Sequence, residues 1–407
     1  GVGLRADLGT ASGVTGMGTS TGAGRVKAIV IGTGFIGTVH CEAVRRVGAE
    51  LLGVLGSSPE RGGEAALRIG TTAYESLAAV LDSEADVVHV TTPNVLHAEQ
   101  AEALLRAGKH VICEKPLTTE LADARALAAL AAETGLVNAV CFNFRFYPLL
   151  HEARARVARG DLGPVHLING HYLQDWLLRQ DDWNWRLDSE VGGATRAVAD
   201  IGSHWLDAAQ FVAGADITEV LADLQTVHKT RLRPVGEVET FTATQGERHE
   251  VEVRTDDAAN ILLRFANGAH GVLSVSQVSA GHKNDVSLEF AGVEGALRWD
   301  STDPDHLWLG MRGAPNETLA RDPGAMAAAA AAVSQYPAGH VEGFGDAFRG
   351  LVSQVYRDVA AGGPAAEPAY PTFADGLRAM AIDDAIRRSA ADQTWTSVEN
   401  SVERNDR

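Results

Sequence analysis

Between Val26 and about Phe144, short apolar runs alternate with amphipathic ones, and that rhythm limits the folds open to this chain more than any other feature. The segments VKAIVIG, ELLGVLG, DVVHVTTP, KHVICEKP and LVNAVCFNF read as strands. TVHCEAVRRVG, the region from PERGGEAALRIG to YESLAAVLDSE, HAEQAEALLRAG and ELADARALAALAAETG read as the helices between them. Apolar strands separated by helices belong to a parallel sheet covered on both faces.

After Pro148 the rhythm changes. One helix (LLHEARARVARGDLG) leads into the strand VHLINGHYLQDW, a polar and aromatic loop, and a helix around DIGSHWLDAAQFVAG. Strands then dominate: TEVLADLQTVH, EVEVRTDDAANILLRFANG, AHGVLSVSQVSAG, DVSLEFAGVEGALRWD and DHLWLGM. Their alternation predicts a large open, mainly antiparallel sheet with one face buried. GAMAAAAAAV fits a helix or a loop, and two helices, FGDAFRGLVSQVYRDVAAG and TFADGLRAMAIDDAIRRSA, close the chain. The fold class is therefore α/β in two parts, which a length of 407 residues accommodates.

The first turn of the repeating region carries chemistry. IVIGTGFIGTVH places Gly32, Gly34 and Gly37 in a G-x-G-x-x-G pattern, with Phe35 and Ile36 inside it, after a strand and at the start of a helix. Such a loop lets a pyrophosphate approach the backbone, and the helix offers its N–H groups and positive dipole end to it. An NAD site usually adds an acid about 20 residues on, to hold the ribose 2′-hydroxyl. Here Gly56, Ser57 and Ser58 occupy that place. Ser57, Ser58 and Arg61 suit a 2′-phosphate, and they equally suit a turn and a helix cap. NAD and NADP both stay open as the cofactor.

Two more strand ends meet the same edge, where ligands of open α/β sheets gather. One is TTPNVLH, with Thr91, Thr92, Pro93, Asn94 and His97; the other is EKP, with Glu114, Lys115 and Pro116. TTPN also reads simply as a helix N-terminal turn. Glu114 should point away from its neighbour Lys115, toward the cofactor.

Together the glycine motif, TTPNVLH, AGKHVICEKPL, FNFRFYP and ADIGSHWLD resemble the Gfo/Idh/MocA oxidoreductases, the glucose–fructose oxidoreductase and inositol dehydrogenase family. GHYLQDW and NWRLD look most like its levoglucosan and glucoside 3-dehydrogenase branch. The resemblance implies a Rossmann domain over residues 26–146 and a substrate-binding and oligomerisation domain over 147–395. A flexible leader (1–25) and a flexible tail (396–407) would flank them. It also implies a homodimer or homotetramer, and it suggests a cis Lys115–Pro116 bond. Its chemistry is hydride transfer between nicotinamide and a secondary hydroxyl carbon of a sugar, glycoside or cyclitol. By motif match Lys115, Asp200 and His204 become the catalytic residues.

Elementary chemistry supports those roles. Removing hydride from an alcohol requires taking the hydroxyl proton at about the same time, and histidine suits that task. A lysine donor stabilises the developing alkoxide. Asp200 and His204 stand at i and i+4, so Asp200 can orient the ring or bond a neighbouring substrate hydroxyl. Each has a blander reading: Asp200 a helix cap, His204 a core histidine, Lys115 a solvated loop cation.

Asn143 and Arg145, after the last strand of the first sheet, are candidates for the nicotinamide, and Arg145 for the substrate too. Trp185 and Arg186 are candidates on the cofactor side. Tyr172, Gln174, Asp175 and Trp176 suit a sugar, which has apolar C–H faces and a hydroxyl rim. His282, Lys283, Asn284 and His340 complete the substrate candidates, although aromatics such as Trp183 also suit a domain junction. Redox-neutral glycoside hydrolysis and a non-catalytic sugar sensor use the same fold and remain alternatives.

A net charge of −18 argues against nucleic acid as the partner, and no apolar run approaches the roughly 20 residues of a membrane span. Three scattered cysteines make no disulfide framework, which favours the cytoplasm. The histidines form no evident metal-ligand cluster.

Overall fold

The computed structural model describes residues 25–236 and 246–399. Most of the expected leader, the last part of the expected tail and residues 237–245 lie outside the described residues. The first sheet is built from β1 (Lys27–Ile31), β2 (Glu50–Leu55), β3 (Thr72–Ala73), β4 (Val87–Val90), β5 (His110–Cys113) and β6 (Asn138–Val140). Its order is β3-β2-β1-β4-β5-β6 and every pairing is parallel. Ala28, Ile29, Val30, Val87, Val88 and Val90 are fully buried, as strands covered on both faces must be. The helices α1 (Phe35–Arg46), α2 (Pro59–Ile69), α3 (Leu77–Leu81), α4 (His97–Arg106) and α5 (Leu121–Thr134) connect the strands. The short β3 interrupts what reads as one helical region in the sequence.

Past the first sheet come α6 (Pro148–Arg159), β7 (Val165–Leu173), α7 (Ser189–Gly192) and α8 (Ser203–Ala213). The strands β8 (Ile217–Gln225), β9 (Thr230–Pro234), β10 (Arg248–Glu252), β11 (Ala258–Phe265) and β12 (His270–Ser276) follow. Next are β13 (Asp285–Gly292), β14 (Gly295–Asp300), β15 (His306–Met311) and β16 (Glu317–Ala320). The helices α9 (Ala328–Val333), α10 (Phe344–Ala361) and α11 (Phe373–Asp392) precede a last short strand, β17 (Thr396–Ser397).

Nine of these strands form one sheet, in the order β16-β15-β14-β13-β7-β12-β11-β8-β17. It is antiparallel except between β7 and β12, so the sheet is mixed. GAMAAAAAAV resolves as the helix α9. Two expectations fail. The tail does not begin at residue 396, because Thr396 and Ser397 add β17 to the sheet edge beside β8. EVEVRTDDAANILLRFANG is not one strand: β10 leaves to pair with β9, and β11 stays in the large sheet. The break falls at Asp256 and Asp257, which are buried to satisfy groups elsewhere. Asp256 accepts the backbone N–H of Arg196 (2.6 Å) and Val198 (2.9 Å), while Asp257 meets Arg196 and Arg231 (2.6 Å to the latter).

The chain then returns to its beginning. Helix α10 packs on α1, with Arg46 paired to Asp346, and α11 packs on α5 and β6. Val140 donates its N–H to the carbonyl of Pro371, and the Phe373 N–H reaches the Asn138 side chain. Two helices that the sequence groups with the second domain thus flank the first sheet and fix the cleft between the two sheets.

Candidate active site

A cleft of about 1330 Å³ runs along the carboxyl ends of β1, β2, β4 and β5. At its centre is the glycine loop. A Cβ on Gly37 would meet the Gly32 carbonyl oxygen at 2.1 Å, so only glycine lets α1 start this close to β1. Gly32 has φ +98°, a conformation that side chains rarely adopt. Above Gly34 nothing among the described residues lies within 4 Å, which leaves the backbone open to the cleft where Phe35 and Ile36 also face. Thr91 closes the loop from beneath, its hydroxyl donating to the carbonyls of Ile31 (2.8 Å) and Gly32 (3.0 Å). The cradle therefore fits a pyrophosphate at a helix N-terminus.

Toward β2 the cleft is lined by Gly56, Ser57, Arg61 and Arg68, and Arg68 reaches across to the Thr33 carbonyl (3.2 Å). Ser58 takes its blander role: it caps α2, accepting the Arg61 N–H at 3.3 Å. Of the TTPN turn, Thr92, Pro93 and Asn94 line the cleft, and Asn94 also donates to the Gly192 carbonyl (2.8 Å), tying the two parts together. His97 borders the cleft too, but its ring is wedged between the carbonyls of Thr92 (2.9 Å) and Pro116 (2.8 Å) and supports the turn from behind.

Toward β5 the titratable groups converge. The Lys115–Pro116 bond is cis. Lys115 Nζ donates to the side chain (2.8 Å) and to the backbone carbonyl (2.6 Å) of Asp200. Arg186 Nε (3.0 Å) and Gln277 Nε2 (2.7 Å) bond the same carboxylate. Burial opposes the charge of Asp200, yet Arg186 and Lys115 outweigh it and hold the carboxyl well below the usual carboxylate range. Gln277 is itself held by Arg196 (2.7 Å), whose other arm meets Asp257, so a buried chain of polar groups stands behind Asp200.

Asp200 lies in a π-helical turn, Val198–Gly202, that runs directly into α8. Such turns concentrate at functional sites. Although four residues apart, Asp200 and His204 share no hydrogen bond among the described residues, so Asp200 does not orient the ring. Packing does that: Phe142, Phe144 and Tyr172 surround His204 at ring distances of 5.9, 5.1 and 6.5 Å. Its Nδ1 is buried and has no partner among the described residues, while the residue borders the cleft. Burial, reinforced by Lys115, lowers its pKa to about 3, which leaves the imidazole neutral.

The segment after β6 splits its candidates. Asn143 borders the cleft, with its Nδ2 buried and without a partner among the described residues, a donor suited to a carboxamide oxygen. Arg145, two residues along the same 3₁₀ turn, points the other way. It pairs with Asp207 (2.8 Å through Nε) and Asp375 (2.8 Å) in a separate cavity of about 300 Å³, so it reaches neither cofactor nor substrate site.

The remaining wall comes from the second sheet and its loops. Tyr172 and Gln174 both donate to Asn284 Oδ1 (2.7 and 2.9 Å), and Trp176 donates to Gln174 Oε1 (2.8 Å). Trp183 and Trp185 also line the cleft, the latter under the Arg186 guanidinium at 4.3 Å. Lys283 lines the rim and is held by Asp175 (2.7 Å), which itself stays outside the lining. Three expectations fail here, Asp175 being the first. His282 turns to Asp285 (2.6 Å), and the ring of the exposed His340 meets the Ala338 carbonyl (3.3 Å); neither borders the cleft.

The sequence reading missed Gln277, because nothing in a β12 flank marks its contact with Asp200 across the fold. It also missed a buried trio, His40, Glu114 and Cys141, whose ligand-type atoms lie within 4.8 Å of one another. Hydrogen bonds already engage both His40 nitrogens and both Glu114 oxygens, so the trio is satisfied without an ion.

Comparison with known proteins agrees with this geometry. A family model described as the oxidoreductase family, NAD-binding Rossmann fold, matches residues 26–142, and the GFO/IDH/MocA C-terminal domain matches residues 150–298. Levoglucosan dehydrogenase of Pseudarthrobacter phenanthrenivorans is 31% identical over 91% of this chain and 97% of its own. Myo-inositol dehydrogenase Hyg17 of Streptomyces leeuwenhoekii is 28% identical over 89% of this chain and 96% of its own. A solved levoglucosan dehydrogenase in complex with NADH and levoglucosan superposes with a TM-score of 0.82 at 28% identity, covering 92% of this chain and 100% of that one.

Proposed function

Because the chain belongs to the GFO/IDH/MocA oxidoreductase family, we propose that it is an NAD(P)-dependent dehydrogenase acting on a secondary hydroxyl of a sugar, glycoside or cyclitol. One observation carries the reading: the Lys115–Asp200 pair and a neutral His204 stand at the β5 end of the cleft whose centre is the glycine cradle. The bound nicotinamide supplies the hydride acceptor or donor.

The chain's own residues do the rest. Two of the three ammonium protons of Lys115 point to Asp200, leaving one for the substrate oxygen. That contact stabilises negative charge as it develops on the oxygen. Asp200 holds Lys115 in place and keeps the ammonium compensated. His204, uncharged, accepts the hydroxyl proton in oxidation and returns it in reduction. Asn143 orients the carboxamide, and Tyr172, Gln174, Trp176 and Lys283 present an aromatic and polar wall to the sugar ring. A cytoplasmic homodimer or homotetramer accompanies this reading, and no helix among the described residues is long and apolar enough to cross a membrane.

The test is a substrate screen across levoglucosan, myo-inositol, glucose and aryl glucosides, with NAD and NADP in parallel. Reduced-nicotinamide absorbance and aglycone release are followed together. Substrate-dependent reduction of either cofactor is expected. Aglycone release without net reduction points instead to redox-neutral hydrolysis, and silence in both channels overturns the enzyme reading. Sedimentation velocity reads the assembly size.

A further inference from the structure

Behind the cleft wall, a file of polar side chains crosses the core where apolar packing would be expected. Tyr356 of α10 meets His89 Nε2 through its hydroxyl at 2.7 Å. His89 Nδ1, on β4, meets His40 Nδ1, on α1, at 2.8 Å. His40 Nε2 meets Glu114 Oε1 at 3.1 Å, and the other Glu114 oxygen accepts the backbone N–H of Lys115 at 3.0 Å. Both histidines are wholly buried, and only Glu114, at the end of β5, borders the cleft.

The links allow donation to run in one of two directions. With one proton on each ring, the His40–His89 contact needs one nitrogen to donate and the other to accept. If Tyr356 donates to His89, then His89 donates to His40 and His40 donates to Glu114, which must be a carboxylate. In the reverse direction Glu114 must itself donate, and so must carry a proton. Burial presses the tyrosine hydroxyl far above its ordinary pKa, so it keeps its proton and has one to donate to His89. Burial opposes ionisation of Glu114, but His40 and then Lys115 prevail, and its carboxyl is held below the ordinary range. In the first direction both Glu114 oxygens accept, one from His40 and one from the Lys115 backbone N–H. A carboxylate this buried would be costly without such a donor, and the Lys115 ammonium is committed to Asp200 instead.

Glu114 is placed where this matters. The cofactor's pyrophosphate belongs at the β1 cradle and its adenosine end toward β2, so the nicotinamide end falls toward β5, beside Lys115 and Glu114. Only the oxidised nicotinamide is cationic. We propose that His40, His89 and Tyr356 are positioning residues that hold Glu114 as a fixed carboxylate at the cleft wall, so that the site favours the oxidised cofactor over the reduced one. The inference rests on the dehydrogenase reading.

Equilibrium binding of NAD, NADH, NADP and NADPH, followed by tryptophan and nicotinamide fluorescence, tests it without turnover. Glu114→Gln and His40→Leu should each weaken the oxidised form about tenfold relative to the reduced form. The double variant should change that ratio no further, because the two act as one unit. Tyr356→Phe, which removes a single oxygen and carries the test should His40→Leu fail to fold, should shift the ratio the same way by a few-fold. Equal weakening of both redox forms by His40→Leu and Tyr356→Phe would reduce the chain to core packing and overturn the proposal. An unchanged ratio in Glu114→Gln would overturn it as well. Wild-type protein that binds none of the four cofactors would instead sink the dehydrogenase reading and this inference with it.

Discussion

Lys115 and Asp200, one at the end of a strand of the first sheet and one in the π turn before α8, are joined twice: the lysine ammonium bonds both the carboxylate (2.8 Å) and the backbone carbonyl (2.6 Å) of the aspartate. Both side chains are nearly buried, with 11% and 14% exposure. A buried ion pair of this kind is poor evidence for stability, since desolvation offsets much of its attraction. Its value lies in position, because it holds a cation at the end of the cofactor cleft. Lys115→Met should lower kcat by roughly 10²–10³-fold, the scale of losing one preorganised donor to a developing oxyanion. Affinity for the reduced cofactor, whose nicotinamide is uncharged, should change little. Steady-state kinetics and fluorescence titration check the two together, and retained turnover would remove Lys115 from the chemistry.

Gln277 is the link between Asp200 and the buried Arg196. Gln277→Leu keeps most of the volume but strips a donor from Asp200 and an acceptor from Arg196. Leaving such groups unsatisfied costs on the order of 1–3 kcal/mol. Urea unfolding should show a loss of that size, and kcat/KM should fall. Unchanged stability and activity would show that Arg186 and Lys115 alone hold Asp200.

The cradle makes a sterically sharp prediction. A methyl at Gly37 would stand 2.1 Å from the Gly32 carbonyl oxygen, a backbone atom that no rotamer change moves aside. Gly37→Ala should push α1 away from β1 and weaken cofactor binding by at least about tenfold, as expected when a glycine needed for close helix–strand packing is lost. Isothermal titration with NAD and NADP measures it, and unaltered affinity would place the pyrophosphate elsewhere.

His204 also predicts how stability depends on pH. An imidazole in the unfolded chain takes a proton near pH 6.5, whereas in the folded protein His204 takes one only at about 3. Between these values the unfolded state binds the extra proton, so stability is lost as pH falls below 6.5. His204→Asn removes that site from both states. The stability difference between pH 8 and pH 5 should therefore be about 2 kcal/mol smaller in the variant than in the wild type. Urea unfolding at the two pH values reads it, and an equal difference would mean that the ring is solvated in the folded state.

Local chemistry explains why some parts of the site were legible in the sequence and others were not. The glycine loop, the TTPN turn and EKP each lie on one short segment, and their order along the chain already places them on one sheet edge. Arg145 was misjudged because a 3₁₀ turn sends Asn143 and Arg145 to opposite sides, and the partners Asp207 and Asp375 come from distant helices. His340 and His282 looked suitable by residue type, but their loops turn them away from the cleft. The DD pair at residues 256–257 sat unnoticed inside an apparent strand, although it breaks that strand and holds Arg196, Arg231 and the start of the π turn.

By itself the sequence determined the parallel sheet and the glycine cradle and marked Lys115, Asp200 and His204 as candidates for the proton chemistry, because strand and helix periodicity and short motifs are local properties. The tertiary structure alone decided which charges meet. Asp200 faces Lys115, Arg186 and Gln277 rather than His204, His204 is oriented by aromatic rings, and Glu114 is bonded by a histidine 74 positions away. Those pairings depend on how two sheets and the returning α10 and α11 pack, and a buried charge settles wherever that packing supplies its partners.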